Sequence, residues 1–126
     1  MLSDSFRQAA EAKDFTKIDD LFTEDVVFRS PVVFKPYEGR EALALLLGTV
    51  AEVFEDFRYT DQVETGTSAV LVFKARVGDR EVEGADFLYF DEDGRAKEMM
   101  VMIRPLSGAM ALAETMKARL EAAGII

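Results

Sequence analysis

The chain has 126 residues, a net charge of −9, and neither cysteine nor histidine. This composition excludes disulfides, thiolate or imidazole metal sites and His-dependent triads, and the acidic charge argues against nucleic acid as a partner. With 49% apolar residues, residues 1–126 are predicted to form one domain that buries about two-thirds of its surface. Met1–Lys13 lacks the features of a signal peptide, and no apolar run is long enough to span a membrane, so a cytoplasmic location without membrane contact is predicted.

The first thirty residues predict two helices followed by a strand. Leu2 and Phe6 fall on one face of the first helix, and a short second helix is predicted to begin at Asp14. The β-branched run Asp25–Ser30 predicts a strand that ends at Pro31, because proline removes a donor from the hydrogen-bond ladder.

The middle of the chain predicts an apolar loop and one long helix. Residues 31–39 contain two prolines and large apolar side chains, which is unusual for a loop because loops normally face water. Apolar residues then recur at helical spacing from Leu43 to Phe57. A sheet is the natural partner for the broad apolar face of this helix.

The second half predicts a meander of strands and a final helix. Connections such as Gly78-Asp79 and Asp93-Gly94 are too short for crossovers, so antiparallel pairing is predicted. The last helix is predicted over Ser107–Ala123, with Ile125 contacting Leu120 beyond its cap. The predicted fold class is α+β: N-terminal helices, a curved antiparallel sheet wrapped around one long helix, and a C-terminal helix.

Asp86 is the residue that the strand pattern leaves to be explained. It shares one strand face with Leu88 and Phe90, and a carboxylate among apolar neighbours is costly unless it is paired, protonated or used. Two interpretations are open. Asp86 is an acid, base or hydrogen-bond donor with a pKa raised by desolvation, or it is a structural residue paired with Arg76, Arg104 or the backbone.

The order of elements and several motifs resemble the nuclear-transport-factor-2-like fold, a cone-shaped α+β barrel shared by SnoaL-like cyclases and ketosteroid isomerases. The resemblance covers essentially the whole chain. The motifs that carry it are Ala12–Phe15, Leu21–Phe28, Ser30-Pro31, Gly39–Leu43 and the segment from Asp86 to Arg95.

The resemblance to ketosteroid isomerases implies roles for three positions. Asp86 falls on the aspartate of the oxyanion hole, Ser30 on the base and Phe6 on the oxyanion-hole tyrosine. Phenylalanine cannot donate a hydrogen bond, and serine is a poor base without a partner. Tyr37 and Tyr59 are candidates for the missing phenol.

The predicted pocket is an apolar cone with Asp86 and Ser30 as its catalytic residues. It suits a small apolar ligand with one polar group, and no metal or other cofactor is predicted. The predicted ligand-binding residues come from the helices, the first strand and the late strands: Phe6, Phe28, Tyr37, Phe54, Tyr59, Leu88, Phe90, Met99, Val101 and Ile103.

The opposite face of the late strands is predicted to be apolar as well. A sheet face with that much apolar area rarely stays exposed. A homodimer formed sheet against sheet is therefore predicted, as the resemblance also implies. Its residues are Phe87, Tyr89, Met100 and Met102.

Two functions follow from these residues. The first is a cofactor-free isomerase, cyclase or lyase in which Asp86 moves a proton or stabilises an enolate, with Ser30 or a tyrosine assisting. The alternative is a non-catalytic ligand-binding or dimerisation module, because the base and the tyrosine are replaced. SnoaL-like cyclases also use a histidine and an acidic residue at the position of Val101, and neither is present here.

Overall fold

The computed structural model describes residues 1–124 and confirms the α+β fold class. Within this range the helices are α1 (Ser3–Ala12), α2 (Ile18–Leu21), α3 (Arg40–Val53) and α4 (Leu106–Ala122). The strands are β1 (Phe22–Arg29), β2 (Tyr37–Glu38), β3 (Glu55–Glu64), β4 (Ser68–Val77), β5 (Arg80–Phe90) and β6 (Ala96–Arg104). The predicted contact between Leu120 and Ile125 lies outside the described residues. No helix within residues 1–124 has the length and hydrophobicity needed to cross a bilayer.

The six strands form one sheet in the order β2-β1-β6-β5-β4-β3. Strands β3 to β6 pair antiparallel through short connections, as predicted. Strand β1, however, runs parallel to β6, with Phe28 beside Met99, so the sheet is mixed rather than wholly antiparallel. The chain between β1 and β6 includes α3 and four strands, and so long a connection permits either direction.

Helix α3 is shorter than the hydrophobic pattern predicted. It ends at Val53, and Phe57 lies in β3. Asp56 adopts a left-handed conformation with φ 55°, which turns the chain into the strand. The rings of Phe54 and Phe57 still stack, with centroids 5.7 Å apart. Both rings therefore serve the core, although only Phe54 follows directly from the helix.

The core lies between the concave face of the sheet and the helices. Phe6 of α1, Leu43 and Leu47 of α3 and Leu112 of α4 are buried against strand residues such as Phe73. Residues 31–39, predicted as a loop, contain β2, which pairs with β1. This arrangement leaves a space between α3, α4 and the sheet.

The convex face of the sheet carries two apolar rows flanked by polar ones. The cross-strand register aligns Val70, Phe87 and Met100 in one row and Val72, Ala85 and Met102 in the next. Met102 is 54% exposed. Polar residues occupy the rows on either side: Ser68, Tyr89 and Glu98 on one, and Lys74, Glu83 and Arg104 on the other.

Candidate functional site

Asp86 is a buried carboxyl on the concave face of the sheet. It is 5% exposed, and its neighbours across the sheet are Leu71 of β4 and Val101 of β6. Because these surroundings disfavour the charged form, burial raises the pKa of Asp86 from its ordinary value of 3.8 to about 7. The carboxyl therefore changes its protonation state near neutral pH.

Tyr59 of β3 is the hydrogen-bond partner of Asp86. The Tyr59 hydroxyl lies 2.6 Å from Asp86 Oδ2. Burial, together with the charge of Asp86, raises the pKa of Tyr59 well above 10, so the phenol stays protonated and donates to the carboxylate. This bond opposes part of the rise in the pKa of Asp86. Tyr59 therefore holds the carboxyl in place and does not accept a proton from it.

The structural ion pairs considered for Asp86 are not formed. Arg76 pairs with Glu55 at 3.3 Å, and Arg104 pairs with Glu83 at 2.7 Å. Both arginine side chains are exposed, at 43% and 72%. Asp86 is therefore buried without a cationic partner among the described residues.

The second carboxyl oxygen of Asp86 faces open space. Within residues 1–124, Asp86 Oδ1 makes no hydrogen bond. Among the described residues, the fully buried side-chain atom that lacks a partner is Thr23 Oγ1. Asp86 Oδ1 is therefore not fully enclosed by the protein. Asp86 also lines a cavity. One oxygen is therefore held by Tyr59, while the other is available to a ligand.

The cavity has a volume of about 400 Å³, within the range of small-molecule sites, roughly 300–1,000 Å³. It is bounded by the sheet, by helices α1, α3 and α4, and by the loop that follows β1. Its walls are mainly aromatic and aliphatic. The polar side chains along its described lining are Lys13, Ser30, Tyr37, Asp86 and Lys117.

Most of the predicted site residues lie around this cavity. Tyr59 is not among the described lining residues, but it is hydrogen-bonded to Asp86, which is one of them. Leu88 and Phe90 are different: they line a second cavity of about 240 Å³ near the start of α1. The predicted residues that line the main cavity are Phe6, Phe28, Ser30, Tyr37, Phe54, Asp86, Met99, Val101 and Ile103.

The placement of Leu88 and Phe90 has a simple geometric reason. They share a strand face with Asp86, but they lie about 7 and 13 Å further along β5. Phe6 lines both cavities, and its ring packs edge-on against Phe22 with centroids 5.9 Å apart. The Phe6 ring therefore lies between the two spaces, and Leu88 and Phe90 line the second cavity rather than the main one.

Ser30 has a structural task in the loop. Its hydroxyl accepts hydrogen bonds from the backbone N–H groups of Val32 at 3.2 Å and Val33 at 2.9 Å. A hydroxyl held in such a turn is poorly placed to act as a base. Ser30 therefore lines the cavity and shapes the loop beside it.

The two lysines of the described cavity lining were not predicted from the sequence. Lys117 lies three residues before Leu120 and four after Ala113, so helical spacing alone could have placed it on the lining face of α4. Lys13 follows the end of α1 in a left-handed conformation, and no sequence pattern marks it. Within residues 1–124, no three His, Cys, Asp or Glu side chains cluster as a metal site would require.

Comparisons with known proteins agree with this fold. Residues 4–99 match the family model of the SnoaL-like domain. A steroid delta-isomerase from Pseudomonas aeruginosa is 41% identical, with 99% of this chain and 93% of that chain covered and a TM-score of 0.93. An uncharacterised protein with a cystatin-like fold from Silicibacter pomeroyi is 31% identical, with 95% and 85% covered and a TM-score of 0.91.

More distant structures share the fold alone. A candidate SnoaL-like polyketide cyclase from Shewanella denitrificans is 16% identical, with 93% of this chain and 95% of that chain covered and a TM-score of 0.67. No curated protein matches this chain significantly.

Proposed function

The chain belongs to the SnoaL-like domain family, and from this premise we propose that it is a cofactor-free isomerase that moves a proton within a small, largely apolar carbonyl compound. The observation that carries the proposal is Asp86, a buried carboxyl with a pKa of about 7 that lines an apolar cavity. The 41% identity to a steroid delta-isomerase supports a ketosteroid-like substrate.

The proposed reaction needs one group that accepts and returns a proton. The carboxylate of Asp86 removes a proton from the carbon between the carbonyl and a neighbouring double bond, so that a C–H bond breaks and an O–H bond forms. The electron pair is held as an enolate until Asp86 returns the proton to the far carbon of the dienolate. The product is the conjugated ketone, with no net oxidation. A base with a pKa near the working pH is well suited to this task.

The developing negative charge on the carbonyl oxygen needs a hydrogen-bond donor. Tyr37 lines the cavity, and its hydroxyl makes no hydrogen bond within the described residues. Its ring packs against Phe28, with centroids 6.3 Å apart. We assign Tyr37 as this donor, because the Ser30 hydroxyl is already engaged in its turn.

Isomerisation of 5-androstene-3,17-dione is the direct test of this function. The purified protein is expected to form the conjugated ketone, followed by its ultraviolet absorbance, faster than buffer does. Because the carboxylate is the active form, kcat/KM is expected to rise with pH through about 7 and then level off. Tyr37→Phe is expected to lower kcat about a hundredfold to a thousandfold without shifting this profile. A rate that falls as pH rises through 7 would contradict the role of Asp86 as a base.

A non-catalytic binding module is the second candidate function. It is favoured by Ser30, which aligns with the base of the ketosteroid isomerases. The Ser30 hydroxyl instead accepts hydrogen bonds from backbone N–H groups of the loop. In that case the steroid binds, no conjugated ketone forms, and Asp86→Asn leaves the affinity unchanged.

We also propose that a second copy of the chain covers the convex face of the sheet. The apolar rows that contain Phe87, Met100 and Met102 are flanked by a row with Lys74, Glu83 and Arg104. A border that carries both signs of charge is self-complementary under two-fold symmetry.

Sedimentation is the measurement for the dimer. The protein is expected to sediment with twice the chain mass of 14.1 kDa at micromolar concentration. Met102→Glu is expected to shift it to the monomer, because a carboxylate in an apolar interface has no partner. Leu106→Glu, at a residue that is 76% exposed outside the two rows, is the control. A wild-type monomer would contradict the proposal.

A further inference from the structure

Most of the charged side chains that line the main cavity are positive, although the chain as a whole is negative. The chain carries a net charge of −9. The described lining nevertheless contains two lysines, Lys13 and Lys117, and its only acidic side chain is the buried Asp86. A local excess of positive charge in an acidic protein favours an anion at that point.

Both lysines border the same cavity, from two different helices. Lys13 Nζ donates to the carbonyl oxygen of Phe54, the residue that follows α3, at 3.0 Å. Lys117 lies on α4 one turn from Ala113 and from Leu120, and all three residues line the cavity. The end of α1 therefore contributes one ammonium group to the rim of the cavity and α4 contributes the other.

Both ammonium groups can still bind a ligand. An ammonium group has three N–H donors, and the described contacts of Lys13 use one of them. Lys117 lies 4.0 Å from Glu121, and the two side chains are 72% and 51% exposed. An exposed pair at this distance is weak and easily exchanged for a ligand.

We propose that Lys13 and Lys117 bind a carboxylate group of the ligand at the rim, while the apolar body of the ligand fills the cavity. The preferred ligand is therefore an apolar carbonyl compound that also carries a carboxylate, a group that the test substrate 5-androstene-3,17-dione lacks. The assignment of its carbonyl group to Asp86 rests on the proposed function, whereas the preference for a carboxylate does not. The apolar walls accept the hydrocarbon portion, and the rim leaves the charged group partly hydrated and paired.

Competition between a charged and a neutral ligand of equal length tests this proposal. Decanoate and decanol are each used to displace Nile red from the protein at pH 8, where decanoate is ionised. Decanoate is expected to bind about tenfold more tightly than decanol, because two partly screened ion pairs contribute. The difference is expected to shrink in 1 M salt.

Variants of the two lysines assign the effect to the rim. Lys13→Met and Lys117→Met are each expected to weaken decanoate binding about threefold, and the double variant about tenfold, with decanol unchanged. Lys97→Met is the matched control, because Lys97 is an exposed residue of β6 outside the described cavity lining. It is expected to change neither affinity.

Three results would overturn the proposal: equal affinity of the wild-type protein for both ligands, a preference for decanoate that survives the double substitution, or failure of both ligands to displace the probe. Failure of the isomerase function is separable, because Asp86→Asn is expected to keep the preference for decanoate even where no turnover is found.

Discussion

Replacing Asp86 with asparagine is expected to lower kcat about 10²–10⁴-fold, the usual contribution of a positioned acid or base. The asparagine side chain has nearly the shape of the carboxyl, and its amide oxygen can still accept the hydrogen bond from Tyr59, which measures 2.6 Å in the native chain. The amide cannot take up a proton from carbon. The measurement is kcat for the isomerisation of 5-androstene-3,17-dione at pH 8, with circular dichroism to show that the fold is retained.

The same substitution is expected to stabilise the protein at alkaline pH. Because the pKa of Asp86 is raised from 3.8 to about 7 in the folded chain, the folded state holds a proton between these values that the unfolded state has released. Stability therefore falls as the pH rises through this window, and the loss is complete above pH 7. A shift of this size corresponds to at most about 4 kcal/mol.

Urea unfolding at pH 5 and pH 8.5 measures this effect. Asp86→Asn is expected to be more stable than the wild type at pH 8.5, and the advantage is expected to narrow at pH 5. Asp25→Asn, at an exposed residue of β1, is the control and is expected to show neither change. If Asp86→Asn were instead less stable at pH 8.5, Asp86 would be a structural residue.

A residue that costs stability where it is ionised requires another reason to be present. In this chain the cost falls on one carboxyl, which has a free oxygen toward an apolar cavity and a tyrosine that fixes its orientation. Opposite effects of Asp86→Asn on turnover and on stability would be the signature of a functional group.

The inward direction of Asp86 could be predicted because side-chain alternation along a strand is a local property. The hydrogen-bond partner of Asp86 could not be predicted. Tyr59 lies 27 residues away, and the contact depends on the register of β3 with β4, which shifts between Tyr59 and Asp61. A register shift of this kind leaves no clear mark in a hydrophobic pattern.

The position at which the cavity ends could not be predicted from the sequence either. Alternation correctly placed Leu88 and Phe90 on the same face as Asp86, but the depth of the cavity is set by the Phe6 ring, which comes from α1. The parallel pairing of β1 with β6 also depends on distant parts of the chain. Hydrophobic periodicity therefore predicted which face of a strand a residue occupies. It did not predict which other elements pack beside that strand.

Gly84 has a packing role that can be tested in the same way. Glycine weakens a strand unless something approaches its backbone closely. Here the ring of Phe73 lies directly over Gly84, and a Cβ atom at position 84 would also lie 2.7 Å from the carbonyl oxygen of Met102. That oxygen belongs to the backbone of β6, so it cannot move without disturbing the ladder.

Gly84→Ala is expected to destabilise the protein by about 3 kcal/mol, because the added methyl group has no free space. Gly48→Ala is the matched control: Gly48 lies within α3 with nothing within 4 Å of a Cβ atom, so alanine is expected to stabilise the helix by up to about 1 kcal/mol. Urea unfolding measures both changes. The Phe73 ring also packs edge-on against Tyr59, with centroids 6.3 Å apart, so Gly84→Ala is expected to reduce turnover as well. Equal stability changes in the two variants would show that the Phe73 ring does not require the glycine.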